Sequence, residues 1–270
     1  MPGVTITFLS DYGLDDEFVG VCHGVIAGIY PPARVIDITH GIGRHDVRGA
    51  AVLLRRALAY MPVGVHIAVV DPDVGAARRA VALRLADARV LVGPDNGLLW
   101  PAAEQAGGIV EAVEISRSAL RLEPISATFH GRDLFAPVAA HLAAGVKLGD
   151  AGDPLDPDVV VRLELPRARI EAGALVAQVV SVDRFGNAQL GAAPDDLARA
   201  GLKLGHAVEL ELASRPPAGA RFVRTFADAQ ADELIIYEDA GRALAVAVSH
   251  GSAAERLGLT AGDELRIRPA

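Results

Sequence analysis

The stretch VHIAVVDPDVG, residues 65–75, decides the fold. Its first six residues form an apolar run, interrupted only by His66, of the length of a buried strand, and the run ends abruptly at Asp71. Further β-rich runs alternate with stretches of helical spacing on both sides of it: the runs 4–9, 34–39, 80–85 and 89–93, and the helical stretches 15–30, 46–61, 100–105 and 132–145. This alternation predicts an α/β domain with a largely parallel sheet.

The pattern changes after Gly149. The segment DAGDPLDPDVV, residues 150–160, is rich in Asp, Pro and Gly, which is typical of a linker. Beyond it, β-rich runs such as ALVAQVVSV and ALAVAV follow one another without helices between them. We therefore predict an N-terminal α/β domain at 1–160 and a smaller all-β, barrel-like C-terminal domain at 168–270. In the helix predicted at 46–61, we expect Val52, Leu53 and Leu58 on the apolar face.

Composition excludes several classes of protein. The 270 residues carry 26 Lys and Arg against 34 Asp and Glu, a net charge of −8, so nothing in the charge balance favours nucleic acid or an anionic membrane as a partner. The single cysteine, Cys22, excludes an intrachain disulfide and a multi-cysteine metal site. The first residues, MPGVTITFLSDYG, lack the basic start of a signal peptide, and no apolar stretch is long enough to span a membrane. We expect a cytoplasmic protein.

Polar clusters follow the predicted strands at the point where each strand ends. They are Ser10-Asp11-Tyr12, Thr39-His40, Asp71-Pro-Asp73-Val-Gly75 with Arg78, Gly93-Pro-Asp95-Asn96-Gly97, and Thr128-Phe-His130-Gly-Arg132-Asp133 before the last helix. Each cluster alone is compatible with ordinary turn chemistry, because Asp and Asn bond to nearby backbone. Ligands bind beyond the carboxyl ends of strands in open α/β sheets, so together the clusters favour one shared pocket.

The residue types in this pocket limit its chemistry. No G-x-G-x-x-G, phosphate-binding loop, G-x-S-x-G or H-E-x-x-H pattern occurs, and Cys22 lies inside a predicted helix. Asp, Arg and His without a covalent nucleophile suit the orientation of a water or hydroxide against a substrate that has a good leaving group. In the second domain, Asp183-Arg-Phe185-Gly-Asn187 is compatible with a hairpin turn or with stacking on a purine.

These strings, in this order, resemble the S-adenosyl-L-methionine (SAM) hydrolases, or SAM hydroxide adenosyltransferases, which are relatives of the fluorinase and chlorinase. The resemblance covers nearly the whole chain and rests on the strings just quoted, with Asp37-Ile-Thr-His40-Gly41 and Gly251-Ser-Ala-Ala-Glu-Arg-Leu-Gly258 in addition. It implies an α/β domain followed by a β-barrel, and a homotrimer in which each active site lies between the N-terminal domain of one subunit and the C-terminal domain of its neighbour.

The resemblance also implies a reaction and residue roles. Water or hydroxide attacks the ribose C5′ of SAM, giving adenosine and L-methionine without a metal or other cofactor. The catalytic residues fall on Asp71, Arg78 and His130. Substrate-binding residues are implied at Asp11 for the ribose hydroxyls, Phe185 and Asn187 for adenine, Asp183 for the methionine ammonium, and Ser249. Halogenating relatives have an aromatic residue at the position of Asp71 and a small hydroxyl residue near that of Gly131, so the sequence favours hydrolysis.

Three positions depart from the family pattern. Asp73 replaces a glycine, Glu238-Asp239-Ala240-Gly241 replaces an Asn-Ser turn, and Ser249-His250 replaces Asn-Arg. From Asp73 we expect a slightly different loop around Asp71.

Two alternatives stay open at this point. One is a metal-dependent hydrolase that uses Asp11, His40, Asp71, Asp95 and His130 as ligands. The other is a SAM- or adenosine-binding protein without turnover. How Asp71, Arg78 and His130 divide the catalytic work also stays open.

Overall fold

The computed structural model describes residues 3–213 and 215–270 and divides into two compact units. The first unit ends at Glu164 and the second spans Leu165–Ala270. Within the described residues, no helix is both long enough and apolar enough to cross a membrane.

The first unit is a seven-stranded sheet covered by helices. Its strands are β1 (Thr5–Ser10), β2 (Arg34–Thr39), β3 (Gly64–Val69), β4 (Ala80–Leu85), β5 (Val90–Pro94), β6 (Ile109–Glu114) and β7 (Asp153–Leu155), and its helices are α1 (Phe18–Ile29), α2 (Val47–Leu58), α3 (Trp100–Gln105) and α4 (Ala136–Ala143). The strand order is β2-β1-β3-β5-β4-β6-β7. Strands β2, β1, β3 and β5 are parallel, and β4 runs against both β5 and β6, so five of the seven strands point the same way. The predicted α/β domain with a largely parallel sheet is confirmed.

Both faces of this sheet are buried, which explains the apolar run of β3. Successive residues of a strand point to opposite faces. Accordingly, Phe8 of β1 packs in one core cluster with α1 and α4, while Leu9 packs in the other with α2 and α3. Because helices cover both faces of the sheet, the ends of the central strands are where polar groups reach solvent.

Two sequence predictions about this unit are wrong in detail. Val52 and Leu58 are buried as expected, but Leu53 is 38% exposed. Its neighbour Leu54 is buried instead, because it lies four residues from both Ala50 and Leu58 and so on the same face of the helix. The segment 150–160 is not a simple linker, because β7 within it pairs with β6. The amide of Val161 then donates to Asp95 Oδ1 at 2.8 Å, which fastens the end of the segment to the unit.

The second unit is a closed barrel, as the sequence predicts. Its strands are β8 (Arg169–Glu171), β9 (Ala174–Val182), β10 (Ala188–Leu190), β11 (Ala207–Leu212), β12 (Ala218–Phe222), β13 (Leu234–Glu238), β14 (Leu244–Val248) and β15 (Glu264–Pro269). The order β10-β14-β13-β12-β11-β15-β9 closes through a β9–β10 pairing, and β8 adds to β9 outside the ring.

Two short helices in this unit correct the expectation that its strands follow one another without helices. They are α5 (Pro194–Arg199) and α6 (Ala253–Leu257). Local signals start and stop them: Pro194 occupies the first turn of α5, and the Ser252 side chain accepts from the Glu255 amide at the start of α6. Helix α6 ends at Gly258, which has left-handed backbone geometry.

Candidate active site

Three elements bring Asp71, Arg78 and His130 into contact. Asp71 follows β3, Arg78 lies two residues before β4, and His130 directly precedes a π-helical turn, Gly131–Phe135, that continues into α4. Arg78 Nε donates to both Asp71 carboxylate oxygens, at 2.9 and 3.0 Å, and Arg78 Nη2 also donates to Asp71 Oδ2. The same Nη2 lies 2.8 Å from His130 Nδ1. The guanidinium therefore joins the carboxylate to the imidazole.

The contact with Arg78 fixes the proton on the imidazole. A guanidinium has only donors, so His130 Nδ1 must be the acceptor and the proton of the neutral ring lies on Nε2. Burial lowers the pKa of His130, and the positive charge of Arg78 lowers it further, while Asp71 opposes the shift. Both causes favour neutral His130 with an Nε2–H donor.

The ion pair is shielded from water. The side chains of Asp71 and Arg78 are 6% and 9% exposed. The face of Phe135 lies 5.4 Å from the Arg78 guanidinium carbon and covers it from one side. A buried charge pair of this kind is costly to break, because each partner would be left without its counter-charge.

Asp71 and His130 line a cavity of about 310 Å³ that also contains Asp11. The other lining residues are Tyr12, Phe18, Arg44, His45, Val69, Val74, Thr128, Phe129 and Gly131. Aromatic rings form one part of the wall: Phe129 contacts Tyr12 edge to face at 5.8 Å and Phe18 at 5.0 Å between ring centroids. The combination of an apolar wall with a few convergent polar groups is typical of a small-molecule site.

Two glycines shape this cavity. A Cβ on Gly131 would overlap the Tyr12 hydroxyl and lie 3.0 Å from two carbons of its ring, so Tyr12 occupies the space that a side chain would need. Gly75 has φ +81° and leaves 2.5 Å between an ideal Cβ and the Ala127 carbonyl oxygen, so the loop after Asp71 requires glycine there. Asp73 is not among the residues with positive φ, so the aspartate at this departure from the family pattern does not have to adopt left-handed geometry.

Not every polar cluster at a strand end contributes to the cavity. The Asp95 carboxylate accepts from Arg79 Nε at 2.8 Å and from the Val161 amide, and Asn96 Nδ2 donates to the Val70 carbonyl at 2.8 Å. These contacts are structural. Asp71, Asp95 and His40 each have separate partners, so the ligand set of the metal-dependent alternative is not assembled among the described residues.

Asp11 and the neighbouring His45 form a contact that the sequence did not indicate. The His45 amide donates to Asp11 Oδ2 at 3.0 Å, and His45 has φ +64°, a left-handed conformation that is uncommon outside glycine. Arg44 and His45 lie five and six residues after the end of β2, and this position beyond a strand end is the only sequence feature that marks them as candidates for the site.

Cys22 is fully buried, and burial raises the pKa of its thiol to about 12, which fits a structural role.

The remaining predicted residues lie in the second unit. Asp183 Oδ1 accepts from the amides of Phe185 and Asn187 at 2.9 Å each, and Oδ2 accepts from Asn187 Nδ2 at 2.8 Å. This tight turn leaves the Phe185 ring 70% exposed. Ser249 is buried, with its Oγ 3.4 Å from His250 Nδ1. The geometry contains the hairpin turn and an exposed aromatic ring, with the Arg184 guanidinium carbon 5.7 Å from the ring centroid.

The departing turn at Glu238–Gly241 is internally satisfied. Asp239 Oδ1 accepts from the amides of Gly241 and Ala243, at 2.7 and 3.0 Å, and Glu238 pairs with Arg242. The turn therefore holds its shape with an Asp in place of the family's Ser.

Comparison with known proteins identifies the family. The family models for the SAM hydroxide adenosyltransferase N-terminal and C-terminal domains match residues 6–152 and 177–266. The (R)-S-adenosyl-L-methionine hydrolase of Salinispora tropica is 48% identical over 98% of each chain, and that of Thermus thermophilus is 38% identical over 97% of this chain and 98% of the relative. A fluorinase of an Actinoplanes species is 30% identical over 98% of this chain and 97% of the relative.

A solved structure has a similar fold. The crystal structure of an uncharacterized conserved protein from Thermotoga maritima has a TM-score of 0.91 and 35% identity, covering 97% of this chain and 99% of that one. The resemblance inferred from the sequence is confirmed.

Proposed function

Because this chain belongs to the SAM hydroxide adenosyltransferase family, we propose that it hydrolyses SAM at the ribose C5′ to adenosine and L-methionine. The observation that carries the proposal is the Asp71 carboxylate, held by Arg78 in the wall of the cavity. A carboxylate there attracts the hydrogens of a water molecule and repels a halide ion, which favours hydrolysis over halogenation.

The substrate's chemistry matches a site without a strong acid or covalent nucleophile. In SAM the sulfur is a cationic sulfonium. When water oxygen bonds to C5′, the C5′–S pair of electrons returns to sulfur and gives the neutral thioether of methionine, so the leaving group needs no proton. One proton is released from the water. The protein's task is to hold the water in line with the C5′–S bond, and positioning of this kind accelerates reactions strongly.

The contacts support a division of the work among the three residues. Arg78 donates to both oxygens of Asp71 and to His130 Nδ1, so it orients the other two. His130 Nε2–H is a donor, and it stabilises the oxygen of the attacking water as negative charge develops there. Asp71 keeps lone pairs that Arg78 does not use, and it accepts the hydrogen bond from the water and orients its attack. We therefore assign the water's proton to Asp71 rather than to His130.

Substrate binding extends this proposal to both units. Asp11 in the cavity binds the ribose hydroxyls. Phe185 stacks on adenine and Asn187 bonds its edge, while Asp183 and Ser249 hold the methionine end. The exposure of the Phe185 ring supports the stacking role. We assign these second-unit residues to the site of a neighbouring subunit in a homotrimer, and the cytoplasmic location stays a prediction from the sequence.

The test measures products directly. Protein treated with a chelator is incubated with SAM, and adenosine and methionine are separated and quantified. We expect turnover by the wild type and by Asp153→Asn, an exposed control, and at least a 100-fold loss in Asp71→Asn and in His130→Ala. SAM binding without turnover in the wild type would favour the binding-protein alternative. Activity lost on chelation and restored by metal would favour the metal-dependent one.

A further inference from the structure

Outside the cavity, three metal-ligating side chains converge on one point. His23 Nε2 lies 2.9 Å from Asp37 Oδ1, and His40 Nε2 lies 3.2 Å from the same oxygen. All three ligand atoms are within 4.8 Å of one another. None of the three residues lines the cavity that holds Asp71 and His130.

The three residues are held by separate, regular parts of the fold. His23 is in α1, Asp37 is in β2, and His40 directly follows β2. The side chain of His40 is 2% exposed, and the edge of its ring packs against Phe8 with centroids 4.7 Å apart. His23 and Asp37 are 36% and 37% exposed, so solvent reaches the point where the three converge.

His40 Nε2 is the feature that protein contacts leave unexplained. It is buried and makes no hydrogen bond, because its approach to Asp37 at 3.2 Å lacks hydrogen-bond geometry. The other ring nitrogen, Nδ1, lies 2.7 Å from Ser10 Oγ. In the tautomer whose Nδ1–H donates to that hydroxyl, Nε2 carries a lone pair that faces a carboxylate, and a cation between the two would satisfy both groups.

We propose that His23, Asp37 and His40 bind one divalent transition-metal ion of the Zn²⁺ type, with water completing the coordination. Two imidazole nitrogens and one carboxylate oxygen are ligands of zinc, cobalt and nickel, whereas Mg²⁺ and Ca²⁺ prefer oxygen alone. Bonds of about 2.0–2.1 Å in a tetrahedral site place ligand atoms roughly 3.3 Å apart, close to the two distances seen here. The Ser10 hydroxyl is the outer hydrogen-bond partner that orients a ligating histidine.

The ion has a structural role. It joins α1 to β2 and fixes His40, whose partner Ser10 also accepts from the Tyr12 amide at 3.2 Å. Through Ser10, the site supports the segment that carries Asp11 into the cavity. It goes beyond the proposed hydrolysis and does not enter that reaction.

Titration of chelator-stripped protein with Zn²⁺ in a calorimeter tests the proposal. We expect one ion per chain in the wild type, and a rise in melting temperature of about 5 °C at a Zn²⁺ concentration near 100 times Kd. His23→Ala and Asp37→Asn change partly exposed side chains that leave the core intact, and each should weaken binding at least tenfold. His206→Ala, an exposed histidine of the second unit, is the matched control and should bind as the wild type does.

Two results overturn the proposal: absence of Zn²⁺ binding by the wild type, and binding that both ligand variants retain. Co²⁺ absorption adds an independent readout, because intense visible bands indicate a four- or five-coordinate ion and should disappear in Asp37→Asn. Hydrolysis of SAM by the stripped wild type is measured in parallel, so failure of the metal site and failure of the proposed reaction give different results.

Discussion

The buried pair of Asp71 and Arg78 predicts a large loss of stability when only one partner is neutralised. Asp71→Asn keeps the shape of the side chain and leaves Arg78, 9% exposed, without a counter-charge. Removing one partner of a buried ion pair costs about 3–5 kcal/mol. The Asn side chain still accepts one hydrogen bond from Arg78, so we expect a loss of stability at the lower end of that range, about 3 kcal/mol. With a urea m-value of about 2 kcal/mol per M, the unfolding midpoint falls by about 1.5 M.

The single tryptophan makes this measurement specific to the correct unit. Trp100 begins α3 in the first unit, so its fluorescence during urea unfolding reports on the unit that contains the pair. Neutralising both partners, in Asp71→Asn with Arg78→Gln, should restore at least about 1 kcal/mol relative to the single variant. In the exposed pair Arg117–Asp153, Asp153→Asn should leave the midpoint unchanged.

Either of two results would show that Arg78 does not need Asp71 as a counter-charge. One is an Asp71→Asn protein within about 0.5 kcal/mol of the wild type, the range of an ordinary surface substitution. The other is a double variant that is less stable than Asp71→Asn alone. In that case, removing the Arg78 charge would have relieved no cost of leaving it unpaired.

Three further predictions concern pH and space. His130 is kept neutral by burial and by Arg78, which lower its pKa, so the acid limb of kcat/KM should lie below pH 6.5 and a limb above that value contradicts the assignment. Burial also lowers the pKa of His66 to about 4. Between about pH 6.5 and 4 the unfolded chain therefore binds one more proton than the folded protein, and the free energy of unfolding should fall by about 3 kcal/mol as pH drops through that window. Urea titrations should show that His66→Asn removes this loss. Gly131→Ala places a methyl group against the Tyr12 ring, so turnover should fall at least tenfold while the circular dichroism spectrum stays that of the wild type; full activity would mean that the ring moves aside freely.

Regular periodicity and strand ends made much of the fold predictable. The run 65–70 identified the central strand because a strand covered on both faces is apolar at nearly every position, here all but His66, and β3 is buried throughout. The same logic placed Asp71 at the carboxyl edge of the sheet. Short elements were missed where local capping or pairing outweighs composition: β7 lies in an Asp- and Pro-rich segment, and α6 has only five residues.

Side-chain partners are the part of the site that sequence spacing did not determine. Arg78 and Arg79 are adjacent, yet the first pairs with Asp71 beside the cavity and the second with Asp95 away from it. Consecutive residues of an extended segment point in opposite directions, and which of them faces the cavity depends on the register of β4. The tautomer of His130 likewise required the three-dimensional contact with Arg78, since no sequence pattern states which ring nitrogen is occupied.

The origin of the oxygen atom in adenosine tests whether water attacks C5′. Chelator-treated protein is incubated with SAM in ¹⁸O-labelled water, and the products are analysed by mass spectrometry beside the His130→Ala variant. We expect adenosine with one ¹⁸O at the 5′ position and unlabelled methionine from the wild type, and a large loss of both in the variant. Unlabelled adenosine, a labelled amino-acid product with methylthioadenosine, or no cleavage of SAM would contradict attack of water at C5′.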